Sequence, residues 1–122
     1  LFFAQYAREN PNVKRVYLFE MRGAGFQYHD GMKPEVADLL VPPLDLALVR
    51  EPENPYDELA IAVYTQQGHH LGYVPRGENE IPSAIADQDV FIGAELLRFD
   101  RRLVKLAPWD CLHIRVFQAV KV

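Results

Sequence analysis

Leu44, Leu46 and Leu48 alternate with Asp45, Ala47 and Val49, and further on Leu59, Ile61 and Val63 alternate with Glu58, Ala60, Ala62 and Tyr64. A period of two is the signature of a half-buried strand, so the pattern predicts two strands with their leucine, isoleucine and valine faces toward a core. The segment between them, Glu51-Pro-Glu-Asn-Pro-Tyr-Asp57, cannot be regular structure. Pro52 and Pro55 lack a backbone donor, and each drives the preceding residue out of helical geometry. The prediction is a hairpin with a stiff loop that presents Asn54, Tyr56 and Asp57 in fixed relation to the strands.

The remaining pattern predicts further short elements. Leu1 to Glu9 reads as a helix with Phe2, Phe3 and Tyr6 on one side and Asn10-Pro11 as its stop. Val13 to Met21 reads as a strand. Gly23-Ala-Gly25 interrupts it, which suggests a bulge or a close backbone approach, and Phe26 to His29 resumes an extended segment before Asp30-Gly31. Pro34 to Leu40 is expected to be helical, with proline in the first turn and Pro42-Pro43 as its end. After the hairpin, Thr65 to Gly68 is a turn and His69 to Val74 a strand. A helix is expected over Asn79 to Gln88, with Ile81, Ala84, Ile85 and Gln88 on one face. Val90 to Phe99 and Asp110 to Gln118 are strands, joined by a basic connection that holds Arg101, Arg102 and Lys105. Five to six short strands with two or three short helices predict a mainly β fold, a small closed or partly open barrel of the OB/SH3-like kind.

Composition narrows the class. At 122 residues the chain is expected to hold one domain, with residues 1–12 as an N-terminal helical extension and 13–122 as the body. Its hydrophobic share of 49% argues against disorder. The single cysteine, Cys111, cannot close an internal disulfide and suits a reducing cytosol or nucleus. No apolar run approaches the length of a membrane span. The chain opens on Leu1 rather than methionine, as a processed product or a fragment does, and Leu1 to Ala4 lacks the parts of a complete signal peptide. A formal charge of −4 argues against a protein that coats nucleic acid broadly, because phosphate contacts dominate such binding. A small pocket gripping one strand end remains compatible with it, since local charge outweighs the sum.

Candidate chemistry centres on the proline-bounded loop. Asp57 and Tyr56 have a bland reading, a capped turn in which Asp57 accepts backbone N–H groups and Tyr56 packs on the hairpin. Their functional reading is a carboxylate that accepts a proton from a sugar hydroxyl beside an aromatic face on which a base stacks. Asn54 has an equally plain role as a turn-forming amide. Phe26 and Tyr28 read as one face of an ordinary strand. His29, His69, His70 and His113 lack metal-ligand spacing, and one cysteine builds no zinc site, so no metal is expected. The chain lacks a phosphate-binding glycine loop followed by Lys-Ser/Thr, a nucleophile elbow and a spaced Cys–His pair, so neither ATPase nor acyl-transfer chemistry is expected. Asp57 and Glu58 make a poor general acid–base pair, because neighbours on a strand face opposite ways.

The run Arg50-Glu-Pro-x-Asn-Pro-Tyr-Asp-x-x-Ala-Ile-x-Val63, followed by Gly68 and by Leu71-Gly-Tyr-Val-Pro-Arg76, closely resembles the HIRAN domain. That module stands at the N-terminus of helicase-like transcription factor and related DNA-repair translocases, and occurs alone or fused to nucleases in bacteria. The similarity is dense from Phe26 to Ile85, weaker to Phe117 and absent before Val13. It implies an OB- or SH3-like barrel, no cofactor and a non-catalytic role in binding single-stranded DNA at its 3′-hydroxyl end, as in repair or replication-fork processing, with a helicase or nuclease as partner. It further implies that Asp57 takes the 3′-hydroxyl, that Tyr56 and Tyr28 sandwich the terminal base, and that Asn54 reads base or sugar edges. Tyr73 and Arg76 fall where phosphates are contacted, and Phe99 falls near a second stacking aromatic. The chain departs from the family at Gln27, where a basic residue is usual, at His29, often aromatic, at Tyr73, a histidine in the helicase-like form, and at Pro75, commonly lysine. Weak phosphate gripping follows. The rival expectation is an SH3-like module whose aromatic groove of Tyr28, Tyr56, Tyr73 and Trp109 receives an extended peptide.

Overall fold

The computed structural model describes residues 2–122 of the chain. Its frame is one antiparallel sheet of six strands: β1 (Val13–Arg22), β2 (Leu44–Arg50), β3 (Ile61–Tyr64), β4 (His70–Tyr73), β5 (Ile92–Phe99) and β6 (Leu112–Lys121), in the spatial order β1-β6-β5-β2-β3-β4. Four short helices accompany it, α1 (Phe3–Glu9), α2 (Pro34–Ala37), α3 (Glu80–Ala86) and α4 (Leu103–Leu106). The mainly β class and six strands agree with the sequence pattern. The sheet does not close into a barrel. Its two edges are instead tied by one isolated bridge, in which Ala24 and Tyr73 exchange both backbone hydrogen bonds at 2.8 Å. Gly72 is what lets the edges meet: its φ is +147°, and a Cβ there would run into the Ala24 carbonyl oxygen.

Ile61, Val63, Leu71, Leu96, Leu112, Ile114 and Val116 are fully buried and form the centre of the core. Ala47, Ala60 and Ala62, which simple alternation turns outward, are buried as well. The middle of the hairpin is thus covered on both faces, and only small residues fit on the second. Helix α1 lies where its expected stop allows, although Leu1 of that expectation falls outside the described residues. The helix is held by Phe3 edge-on to Phe117 at 5.4 Å and by Tyr6 stacked on Phe91 at 4.6 Å. Arg15 caps this contact from β1. It sits over the Phe3 and Phe117 rings while pairing with Asp45 and Glu95.

Several expected elements differ in ways that matter for the site. Phe26 to His29 is not extended: Phe26–Tyr28 is a single 3-10 turn. Gly25 starts it in left-handed geometry, φ +75°, and Gly31 leaves room for the Phe26 ring, which a Cβ there would strike. Phe26 therefore goes fully into the core while Tyr28, two residues on, is 79% exposed. The pair does not share a face. The third strand begins at Ile61 rather than Leu59, because the Asp57 side chain accepts the Leu59 amide and the Asp57 carbonyl that of Ala60. The core side of α3 carries Pro82 and Ser83, not Ile81 and Ala84, and Ile81 is 67% exposed. The basic connection contains α4, and Cys111 lies in the bend just before β6 rather than within it.

Candidate functional site

The hairpin loop owes its shape to one side chain. Asn54 Oδ1 accepts the amides of Tyr56 at 2.9 Å and Asp57 at 3.2 Å, and its Nδ2 donates to Glu51 Oε1 at 3.0 Å. The turn-forming role of Asn54 is therefore realised. The loop's exit is clamped by Arg50, whose guanidinium donates to the carbonyls of Glu58 and Ala60 and, on its other edge, to both oxygens of Asp87 beyond α3. Such planar, forked donation suits arginine and not lysine.

Asp57 leaves this loop pointing into a cleft. Its Oδ1 accepts the Leu59 amide at 2.9 Å, and its Oδ2 accepts Nδ2 of the buried Asn79 at 2.8 Å. These two bonds, the Leu59 amide first, hold its carboxyl below the usual carboxylate range, with the nearby Arg76 and Arg50 guanidinia adding to the effect. A carboxylate offers about four lone-pair directions, so two of them remain for a ligand. Arg76 Nε lies 3.8 Å from Asp57 Oδ2, and its Nη2 donates to the Tyr56 carbonyl at 2.6 Å. Most of the Arg76 side chain is in solvent.

The cleft measures about 700 Å³ and is lined by Ala24, Gly25, Tyr28 and His29 from the chain after β1, by Asn54, Tyr56, Asp57 and Ala60 from the hairpin, and by Tyr73, Val74 and Arg76 after β4. That volume suits a drug-sized ligand. Tyr56 is 83% exposed, so Tyr28 and Tyr56, two of the three tyrosines in the lining, offer open ring faces. Tyr73 is different. Its hydroxyl donates to Glu51 Oε1 at 2.9 Å, and burial together with that carboxylate pushes its phenol up to about 12, so it stays a neutral wall.

Behind the cleft stands a stack that the sequence did not reveal. The His29 and His70 rings lie 3.9 Å apart, Tyr64 stacks on His70 at 4.8 Å, and Tyr73 meets both imidazoles edge-on. Burial and the neighbouring His70 lower the His29 pKa. Residues so far apart in the chain give no periodic signal; the Ala24–Tyr73 bridge and the His70 amide, which donates to Asp30 Oδ2 at 3.1 Å, bring them together.

Six of the seven residues singled out in the sequence thus share one cleft: Tyr28, Asn54, Tyr56, Asp57, Tyr73 and Arg76. Phe99 does not join them; its ring packs on Phe26 at 5.9 Å. Trp109, a member of the rival peptide groove, is not part of the lining either, and neither is Glu58. Asn79, Glu51 and His29 are the residues that the sequence did not put forward for the site and that the fold supplies.

The HIRAN domain family model matches residues 16–116. Among solved structures, the crystal structure of a protein from Lactobacillus plantarum superposes with a TM-score of 0.76 at 24% identity, over 88% of this chain and 97% of that one. The crystal structure of the HIRAN domain of human HLTF gives 0.60 at 20% identity, over 88% and 80% of the two chains. The NMR structure of the HLTF HIRAN domain in its DNA-bound conformation gives 0.60 at 18% identity, over 94% and 84%. At these identities the likeness is one of fold. No curated protein matches the chain by sequence.

Proposed function

The chain belongs to the HIRAN domain family, and on that premise we propose that it is a DNA-binding module which takes the free 3′ end of a single strand and performs no chemistry on it. The HLTF member of the family has been solved in a DNA-bound conformation. In this chain the reading is supported above all by one observation: two open tyrosine faces, Tyr28 and Tyr56, line the same cleft as a carboxylate whose orientation is fixed on both oxygens. A base enters between the rings, where stacking contributes roughly 1–3 kcal/mol per base. The terminal 3′-hydroxyl donates to Asp57, and Arg76 swings from the Tyr56 carbonyl to the adjacent phosphate. Asn54 acts mainly by shaping the loop. Phe99 supports the Phe26–Tyr28 turn from beneath through its packing on Phe26.

An end-specific cleft needs few phosphates, which agrees with a net charge of −4. A module of this kind lends its grip to a helicase or nuclease, in the same polypeptide or beside it, wherever the cell keeps its DNA. No helix among the described residues is long and apolar enough to cross a membrane. The deciding experiment titrates fluorescent single strands that carry either a free 3′-hydroxyl or a 3′-phosphate. The free end should bind more tightly, and both should weaken as salt rises. Equal affinity for the two ends would overturn end recognition, and binding indifferent to salt would favour a peptide groove.

A further inference from the structure

The sheet register places two arginines and a histidine in one line. Arg22 on β1 is paired with His113 on β6, and His113 with Arg98 on β5. Directly paired residues point to the same face of a sheet, so the three stand side by side on its outer surface. With strands about 4.8 Å apart, the line spans roughly 10 Å from Arg22 to Arg98. Arg102 continues it, since Arg98 and Arg102 both reach the Asp100 carboxylate, at 3.3 and 3.1 Å. From Arg98 to Lys105 the chain carries four cations against one carboxylate, although the molecule as a whole is acidic. His113 senses this field: burial first, then Arg22 and Arg98, lower its pKa.

One end of the line meets the cleft. Arg22 is two residues before Ala24, which lines the cleft and falls on the same side of the extended chain. The 3-10 turn Pro108–Asp110 lies against the turn that carries Tyr28, and its Asp110 carbonyl accepts Arg22 Nη1 at 3.2 Å. On that turn Trp109 leaves 54% of its surface open.

We propose that Arg22, His113, Arg98 and Arg102, with Trp109 beside them, form a track for the sugar–phosphate backbone of the strand where it leaves the cleft. The proposal rests on the cleft holding the strand end. The bland alternative is a solvated face held by its own ion pairs, Arg22 to Asp110 and Arg98 and Arg102 to Asp100. The Asp100 carboxylate is itself largely buried, but the arginine ends of all three pairs stand in water, and each guanidinium has donors left over for a phosphate. Two arginines also share one carboxylate, which leaves positive charge unanswered. An indole face at the start of the track suits a base as the strand passes. The track supplies what Gln27 and Pro75 lack, and at a different place on the fold.

The test compares a trinucleotide with a strand of about twelve nucleotides, both with a free 3′ end, on the full chain. The parent should hold the longer strand roughly tenfold more tightly at low salt, with a steeper salt dependence. Arg22→Gln/Arg98→Gln should remove most of that difference and leave the trinucleotide unaffected. The same variant should lower the salt slope by about 0.7 for each phosphate that is no longer neutralised. Arg22→Lys/Arg98→Lys keeps the charge and should keep most of the gain, which a mere folding defect would not. Tyr56→Ala should instead weaken the trinucleotide. Weaker binding of both strands alike, or of neither, in the glutamine variant overturns the track. If the trinucleotide does not bind and Tyr56→Ala changes nothing while the glutamine variant still weakens the long strand, the cleft reading fails, and with it the track as an exit path, leaving only a basic face that grips the backbone.

Discussion

The Nδ2 of Asn79 donates to Asp57 Oδ2 at 2.8 Å, from a position that is itself buried at the start of α3. The carboxylate of the hairpin loop is therefore aimed by a residue from a different element, on the far side of β3 and β4 in the chain. Asn79→Ala should leave Tyr56 stacking in place but let Asp57 swing. Discrimination between a free and a phosphorylated 3′ end should shrink severalfold, while salt dependence stays as in the parent. Losing the bond should also lower stability by about 1 kcal/mol, read from chemical denaturation.

Asp57→Ala and Tyr56→Ala should separate the two halves of the recognition. Removing the carboxylate should weaken a free-ended strand by roughly tenfold to a hundredfold, the worth of a charge-assisted hydrogen bond of about 1.5–3 kcal/mol. It should scarcely change a strand ending in phosphate. Tyr56→Ala should weaken both, since stacking ignores the terminal group. For a generic phosphate binder, loss of a carboxylate improves affinity at low salt, so unchanged or tighter binding of the free end by Asp57→Ala would reject end recognition.

Ile61 is fully buried, at the residue where the hairpin returns to the sheet. Ile61→Ala should cost roughly 2–5 kcal/mol. An unmoved denaturation midpoint would mean that the hairpin contributes little to the core.

Cys111 is buried, donates from Sγ to the Pro108 carbonyl at 3.0 Å, and burial pushes its thiol up to about 12. The folded chain should resist alkylation at pH 8 and become reactive on unfolding, because only the thiolate attacks. Cys111→Ser keeps a donor to Pro108 and should bind strands as the parent does. Rapid labelling of the native protein would contradict this.

Acid should act in two stages. His29 and His113 are held below the usual 6.5, so they are neutral in the folded chain where the unfolded chain is charged. Unfolded molecules then bind more protons, and stability falls as the pH drops below 6.5. Asp30, Asp57, Asp87 and Asp100 are held below 3.8 by hydrogen bonds and neighbouring cations, so a second loss begins as the pH passes below that value. His29→Gln/His113→Gln should flatten the first stage and leave the second. Thermal midpoints that do not move between pH 7 and 5 in the parent would refute the first stage.

Much of the site is legible in the sequence because it lies on one short stretch. Pro52 and Pro55 announce a rigid loop, and Asn54, Tyr56 and Asp57 are read directly from it. Tyr73 and Arg76 follow within the next strand and its exit. Tyr28 does reach the expected cleft, but on a turn rather than a strand, because two glycines with little to say about direction set its path. The Phe26 ring needs Gly31, five residues on, to find its place, and that is packing rather than pattern. Phe99 is drawn away from the cleft for the same reason: a ring beside a fully buried Phe26 takes the contact the core offers.

The sequence by itself determined the strands, the stiff hairpin loop and the chemical types it presents, because backbone geometry and burial impose a period of two and prolines forbid the alternatives. The tertiary structure decided what stands next to what. The Ala24–Tyr73 bridge sets Tyr28 and His29 across from the hairpin, Asn79 fixes the direction of Asp57, and the pairing of Arg22, His113 and Arg98 follows from strand register alone. Neighbours across a sheet are chosen by the order and slip of the strands, which summed hydrophobic burial selects over the whole chain, and no local run of residues carries that information.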